Sequence, residues 1–267
     1  MSLINLLKEQ KNGTYLTFRL ALFQIKSDNK NNLLGVIWEF LNPFIQIMMY
    51  WFVFGLGVRG NADVDGVPFV YWMLAGIVMW FFVNAAIFEG TRSIYTKYHL
   101  VAKMNFPLTV LPGYIIMSKF YIHLVMLAVI LVVFWLGGYM PSIYYIQLIY
   151  FMVFTYVFSY AVSLVASALA VIVRDVTLLM QATLRMLFFV SPILWLPDLL
   201  PESIQKLIQL NPFYYIANGY RASVLYNEWY VFTNWDLTVY NVGLTLVLLI
   251  VGSAIHFKMR DRFADYL

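Results

Sequence analysis

From residue 120 to residue 173 the chain carries no Asp, Glu, Lys or Arg, and the run is broken only at Gly137-Gly138 and Pro141-Ser142. A helix crossing a bilayer needs about 20 apolar residues. The stretch therefore predicts two membrane spans joined by a tight, uncharged turn. Further apolar runs complete the pattern, with spans expected at about 33–58, 67–88, 106–136, 142–173, 176–196 and 237–257. The expected fold is an all-α integral membrane protein with six transmembrane helices, organised as one membrane domain over residues 1–267.

The segments outside the spans have patterns of their own. Residues 1–32 are too polar to cross. Leu16, Leu20 and Phe23 recur there at i, i+4, i+7, as do Phe18, Leu22 and Ile25, while Arg19, Lys26 and Lys30 supply a basic side. This predicts an amphipathic helix lying in the interface, or more simply a charged anchor. In residues 92–106, Ile94, Tyr98 and Val101 also fall at i, i+4, i+7, and Pro107 follows. The stretch reads either as a short helix parallel to the membrane or as a solvated loop. Residues 191–230 contain Pro192, Pro197, Pro201 and Pro212 yet remain apolar. Two short helices at about 199–210 and 213–226 would form a re-entrant hairpin over 197–230, with a folded outer loop as the alternative. Ser159, Ser163 and Ser167 recur every four residues, a spacing that allows close helix packing.

Composition agrees. Hydrophobic residues make up 63% of the 267 and charged residues 11%, against about 25% in ordinary soluble domains. The mean hydropathy is +0.77. The net charge of +4 matters less than where the charges lie. Lys8, Lys11, Arg19, Lys26, Lys30, Arg92, Lys97, Lys103, Arg174, Lys258, Arg260 and Arg262 fall on one side of the six-span layout; Arg59, Lys206 and Arg221 fall on the other. The positive-inside rule then places both termini in the cytoplasm. The first residues do not read as a cleavable signal peptide.

Candidate chemistry is sparse. No phosphate-binding G-x-x-x-x-G-K-[ST] motif occurs, so no nucleotide site is expected. Cysteine is absent, and His99, His123 and His256 stand apart with no carboxylate at metal spacing, so neither a metal nor a cofactor is assigned. Glu39, Glu89, Lys119 and Arg185 lie within spans, where an ionisable group must face protein or a polar pathway. Lys119 and Arg185 are the deeper pair and would either line a conduit or pair inside the bundle. Aromatics make up 19% of the chain. They read as interfacial belts, or in part as faces for sugar rings, with Trp195 a candidate.

The order of these parts resembles the ABC-2 type permeases. The details resemble their polysaccharide-export branch: Leu100-Val101-Ala102-Lys103-Met104-Asn105-Phe106-Pro107 after the second span, Val173-Arg174-Asp175-Val176 opening the fifth, then Gln181, Phe189, Ser191-Pro192-Ile193, Trp195, Asn211-Pro212 and Tyr220-Arg221. Within that branch the chain looks closest to the teichoic acid translocation permeases of the TagG/TarG type, and the O-antigen and capsule permeases share the layout.

The resemblance implies a transport subunit rather than an enzyme. Two copies would form the channel above two copies of a cytoplasmic ATPase, which holds the ATP and Mg. Ile94, Tyr95, Tyr98, Leu100, Val101 and Lys103 would form a coupling helix to that ATPase. Phe18, Arg19, Leu22, Phe23 and Lys26 would form the gate helix. Glu39, Lys119, Arg185 and Trp195 are the candidate conduit residues. The substrate would be a polymer linked to undecaprenyl diphosphate in a bacterial cytoplasmic membrane, with no nucleic acid involved. For an anionic polymer, Lys119 and Arg185 could ease phosphate passage. A membrane-embedded transferase and a secondary carrier are the competing classes. The first wants an acidic constellation; Asp63 and Asp65 are close in an outer loop but read as a solvated turn. The second wants inverted repeats, which the two halves do not display.

Overall fold

The computed structural model describes residues 2–58, 60, 62–101 and 107–259, with the main chain alone for residues 98–101 and 199. The order is α1 Ser2–Asp28, a 3-10 turn Gly35–Ile37, α2 Trp38–Tyr50 continuing as a π-helical stretch Trp51–Val58, α3 Phe69–Val101, α4 Val110–Leu136 and α5 Tyr145–Ile172. There follow α6 Asp175–Val190, α7 Glu202–Gln209, α8 Pro212–Arg221 with a π-helical end Ala222–Tyr226, α9 Tyr230–Thr233 and α10 Trp235–Met259. Among the described residues there is no strand, only a bridge between Val64 and Val67 across a tight turn in which Asp65 and Gly66 take positive φ.

Five of these helices are long and apolar enough to cross a membrane: Gly35–Val58, Phe69–Lys97, Val110–Leu136, Tyr145–Ile172 and Trp235–Met259. The expected span over 176–196 is shorter than foreseen. Its helix α6 stops at Val190 because Pro192 disfavours helical backbone at the residue before it, and Ser191 is extended with ψ 138°. The uncharged turn expected between the third and fourth spans is present at 137–144, with Gly138 at φ 92°.

The helices are held very unequally. In the most apolar stretch of α3, 72% of residues are buried inside the protein; along Gly35–Val58 the share is 6%. α3 packs against both α4 and α5, and α10 against α5. Met73, Ile77, Val83 and Ile87 of α3 meet Ile116 and Ile130 of α4 and Phe151 and Leu164 of α5 in one continuous core. The serine spacing on α5 serves this contact. Ser159, Ser163 and Ser167 are all buried, and Ser163 lies directly against Gly90 of α3.

Two amphipathic expectations turn out differently. α1 buries only one of its large apolar residues, Leu6. Leu6, Gly13, Thr17, Ala21 and Gln24 face inward, while Phe18, Leu22 and Phe23 are exposed. The reason is close approach: a Cβ on Gly13 would lie 2.8 Å from a methyl of Val110, so small residues set the seam between α1 and α4. The expected separate helix beyond the second span is the end of α3 itself, which continues unbroken to Val101. At 33 residues the helix is about 50 Å long at ~1.5 Å per residue. That exceeds the ~30 Å hydrocarbon layer, so its last turns project beyond the membrane.

Candidate functional site

Two cations, one half-buried and one buried, organise the described part of the molecule. Lys119 lies on α4 about 14 Å along the helix from Val110, at ~1.5 Å per residue. Its Nζ is 3.4 Å from Asp28 Oδ2 at the end of α1 and 3.8 Å from Glu39 Oε1 on α2. Asn29 Nδ2 donates to Glu39 Oε1 at 3.1 Å, and Gln24 Nε2 donates to Asp28 Oδ1. α2, which packs little against the other helices, is thus joined by charge to the α1–α4 pair.

These groups line a cavity of about 520 Å³. Trp38, Glu39, Asn42 and Gln46 of α2 form one side of it, a stripe at helical spacing. Pro43 also lines it and, lacking an N–H, deprives the Glu39 carbonyl of its helical donor. Asn32, and Val78 and Phe82 of α3, complete the lining. His123, one turn beyond Lys119 and near the middle of α4, is at the floor. Its Nε2 is 3.1 Å from the Tyr220 hydroxyl on α8.

The second cation is Arg221. It was counted with the outer-side charges and falls in the second of the two short helices expected at 213–226; it ends α8 and, rather than facing solvent, is only 1% exposed. Its Nη1 donates to the Pro192 carbonyl at 2.9 Å and to Asn218 Oδ1 at 3.0 Å. Its Nη2 donates to the Ile193 carbonyl at 2.9 Å, and its Nε to the Trp72 carbonyl at 3.3 Å. The guanidinium carbon lies 3.5 Å from the centroid of the Trp72 ring, a cation–π contact. A Cβ on Gly76 would sit 2.5 Å from Nη2, so only glycine fits there.

Local sequence explains the clasp. Asn211 caps α8 by accepting from the Phe213 N–H at 3.0 Å, and Pro212 takes the first helical position. Asn211 Nδ2 also donates to Ser191 Oγ at 2.7 Å. The break that ends α6 turns the Pro192 and Ile193 carbonyls toward Arg221. Pro192, Asn211, Pro212 and Arg221, scattered in sequence, therefore meet in one place. Among the described residues no carboxylate is a hydrogen-bond partner of Arg221, and the arrangement is a mechanical clasp.

The four conduit candidates do not form one cluster. Glu39 and Lys119 share the polar cavity, whereas Arg185 is exposed on α6 with no ion pair among the described residues. Trp195 donates to the Phe189 carbonyl at 2.9 Å and lines a separate apolar cavity of about 660 Å³ between α6, α7 and the start of α8.

Of the coupling-helix residues, Ile94 is fully buried against Leu111, Ile115 and Ala168, so it is a core residue rather than a knob for a partner. The Tyr95 hydroxyl accepts from Thr177 Oγ1 at 3.5 Å, which sets this end of α3 beside the start of α6. Arg174 and Asp175 are exposed there, and Pro107 is half-buried in the turn before α4. The side chains of Tyr98, Leu100 and Val101 are not described, and Lys103 and Phe106 lie outside the described residues. The gate residues Phe18, Arg19, Leu22, Phe23 and Lys26 are all exposed along α1, and Arg19 donates to the Tyr15 hydroxyl at 3.3 Å.

Sequence reasoning missed Asp28, Asn32, Asn42 and Gln46. The signal available for the last two was their i, i+4 spacing inside an apolar run.

The apolar spanning helices and the tied-down short helices before the last of them define a multi-pass, all-helical membrane protein of the permease class. The family model for ABC-2 type transporters matches residues 15–225, most of the chain, and the protein belongs to that family. The chain is 25% identical over 248 residues to an O-antigen export system permease protein RfbA of Klebsiella pneumoniae, covering 91% of each. It is 24% identical over 265 residues to the RfbA permease of Myxococcus xanthus, covering 98% of this chain and 99% of that one. A second Klebsiella pneumoniae RfbA permease is 25% identical over 269 residues, with 98% and 99% covered.

Proposed function

We propose that this chain is the membrane subunit of an ATP-driven exporter that moves a lipid-linked polysaccharide of the O-antigen type across the bacterial cytoplasmic membrane. The observation that carries the reading is the likeness, over nearly the whole length, to permeases named for O-antigen export. Those names favour O-antigen over the teichoic acid expected from the sequence.

ABC-2 permeases work with a cytoplasmic ATPase, and the reading gives this chain two copies of one, beneath a homodimer. The exposed apolar faces of α2 (Phe44, Met48, Phe52) and α6 (Leu178, Met186, Phe189) are open to lipid or to a second copy alike, and the homodimer rests on the family layout. The conduit would lie between copies, with Arg185 and Trp195 on the α6 side. Both termini would be cytoplasmic, and burial of Arg221 leaves only Arg59 and Lys206 on the opposite side. The projecting end of α3, beside Arg174 and Asp175, would then face the ATPase. The substrate carrier would be undecaprenyl diphosphate.

The test is deletion of the chain in its own host. The expected result is loss of surface glycan, build-up of the lipid-linked polymer inside, and restoration by a tagged copy that co-purifies with a vanadate-sensitive ATPase. Undiminished surface glycan, or a tagged chain that purifies without ATPase activity, overturns the reading. Accumulation of a polyol phosphate polymer would restore teichoic acid as substrate.

A further inference from the structure

The cavity between α1, α2, α3 and α4 has a chemistry unlike the apolar surfaces around it. Asn42 and Gln46 lie one turn apart on α2, Asn32 lies in the turn before it, and all three are exposed into the cavity. None of the three carboxamides has a hydrogen bond within the chain among the described residues. Asn42 and Gln46 lie in the candidate span Gly35–Val58, where an unpaired carboxamide costs several kcal/mol, so these two call for a polar occupant.

The charges say which kind. Asp28 and Glu39 both lie within 4.0 Å of the single Lys119 ammonium, so the triad carries a net negative charge and no spare cation. A diphosphate or a polyol phosphate would be repelled. On this reading Lys119 serves its two carboxylates rather than a passing phosphate. Carboxamides offer a donor and an acceptor to adjacent hydroxyls, and carboxylates accept from hydroxyls. Trp38 adds an aromatic face for the apolar side of a sugar ring. A volume of about 520 Å³ lies within the range of small-molecule sites.

We propose that this cavity binds an uncharged, hydroxyl-rich sugar unit of the exported polymer, held by Asn32, Asn42, Gln46 and the Asp28–Lys119–Glu39 triad. The inference rests on the export reading above and assigns that substrate a docking place inside one chain, apart from any conduit between copies.

The test is photo-crosslinking in the host. A benzophenone amino acid replaces Gln46 in one strain and, as a control, Phe52 on the outward face in another. The adducts are read by mass spectrometry and by periodate-sensitive staining. The expected result is carbohydrate on the adduct at position 46 and none at position 52, where a second copy of the chain or phospholipid is captured instead. Phospholipid alone, glycerophosphate polymer or no adduct at position 46 overturns the sugar site. The double variant N42A/Q46A should lower surface glycan tenfold or more while the amount of folded chain in the membrane is unchanged, and unchanged surface glycan also overturns it. The deletion experiment decides the export reading separately. If surface glycan depends on the chain but position 46 captures no carbohydrate, the sugar site fails and the export reading stands.

Discussion

Arg221 and Lys119 are both cations enclosed in an apolar molecule, yet their surroundings are opposite in kind. Arg221 is held by three main-chain carbonyls, one side-chain amide and an aromatic face, with no carboxylate. Lys119 is held by two carboxylates at 3.4 and 3.8 Å, beside an open cavity. Carbonyl partners are fixed by the fold, so Arg221 locks α8 and the end of α6 onto α3. Carboxylates on α1 and α2 can part from Lys119 without breaking any main chain. The difference teaches where this protein is rigid and where it has room to respond. The first cation sits among the helices with most buried surface, and the second joins the helix with least.

The sharpest way to break the comparison is to remove the rigid member. R221A leaves the Trp72, Pro192 and Ile193 carbonyls without their donor and opens a void beside Trp72. Each buried carbonyl left without its donor costs about 1–3 kcal/mol, so the combined loss is large. The expected outcome is little or no monodisperse protein by size-exclusion chromatography after mild extraction. R221K keeps the charge but loses the planar fork, and should fall between R221A and the native chain. Recovery of R221A at native yield would show that the clasp is incidental.

G76A should have the next largest effect. The added methyl meets Nη2 at 2.5 Å, and overpacking of this kind costs about 1–3 kcal/mol. The effect should shrink in the R221K background, where the fork is gone. That non-additivity, read from thermal aggregation of the four proteins, separates a contact with Arg221 from a general intolerance of α3. A smaller loss, about 1 kcal/mol, follows for N211A, which removes the cap of α8 and its bond to Ser191.

The same contrast explains what could be read from the sequence. The spans and the 137–144 turn were legible because hydrocarbon tolerates so few sequences. The burial of Arg221 was not legible because its partners lie 28, 29 and 149 residues away and are carbonyls, which every residue possesses. α3 was cut short at its charged residues because the end of the membrane was taken for the end of the helix. With no proline until Pro107, the helix had no reason to stop there. The inward face of α1 was misread because large apolar residues dominate periodicity, while Gly13, Thr17 and Ala21 make the contact. Lys119 and Glu39 were visible as charges in apolar runs; their meeting with Asp28 was not, since it depends on how α1 crosses α4.

K119Q tests the looser member. The pair is partly open to solvent, and such pairs contribute at most about 1 kcal/mol. The chain should therefore extract and run on size exclusion almost as the native protein does. Two carboxylates would then share the cavity without a counter-charge, and surface glycan should fall severalfold. Adding E39Q should restore part of it by removing one uncompensated charge, which a purely structural role for Lys119 would not allow.

Arg185 marks the low end of the scale. It stands on the exposed face of α6 with no partner in the chain among the described residues, so R185Q should leave extraction and size-exclusion behaviour unchanged. If the α6 face borders a path between two copies, R185Q should still lower surface glycan. If that face meets only lipid, nothing should change. The split between unchanged folding and reduced export would separate a charge that serves transport from one that serves the fold, which is the distinction Arg221 draws from the opposite side.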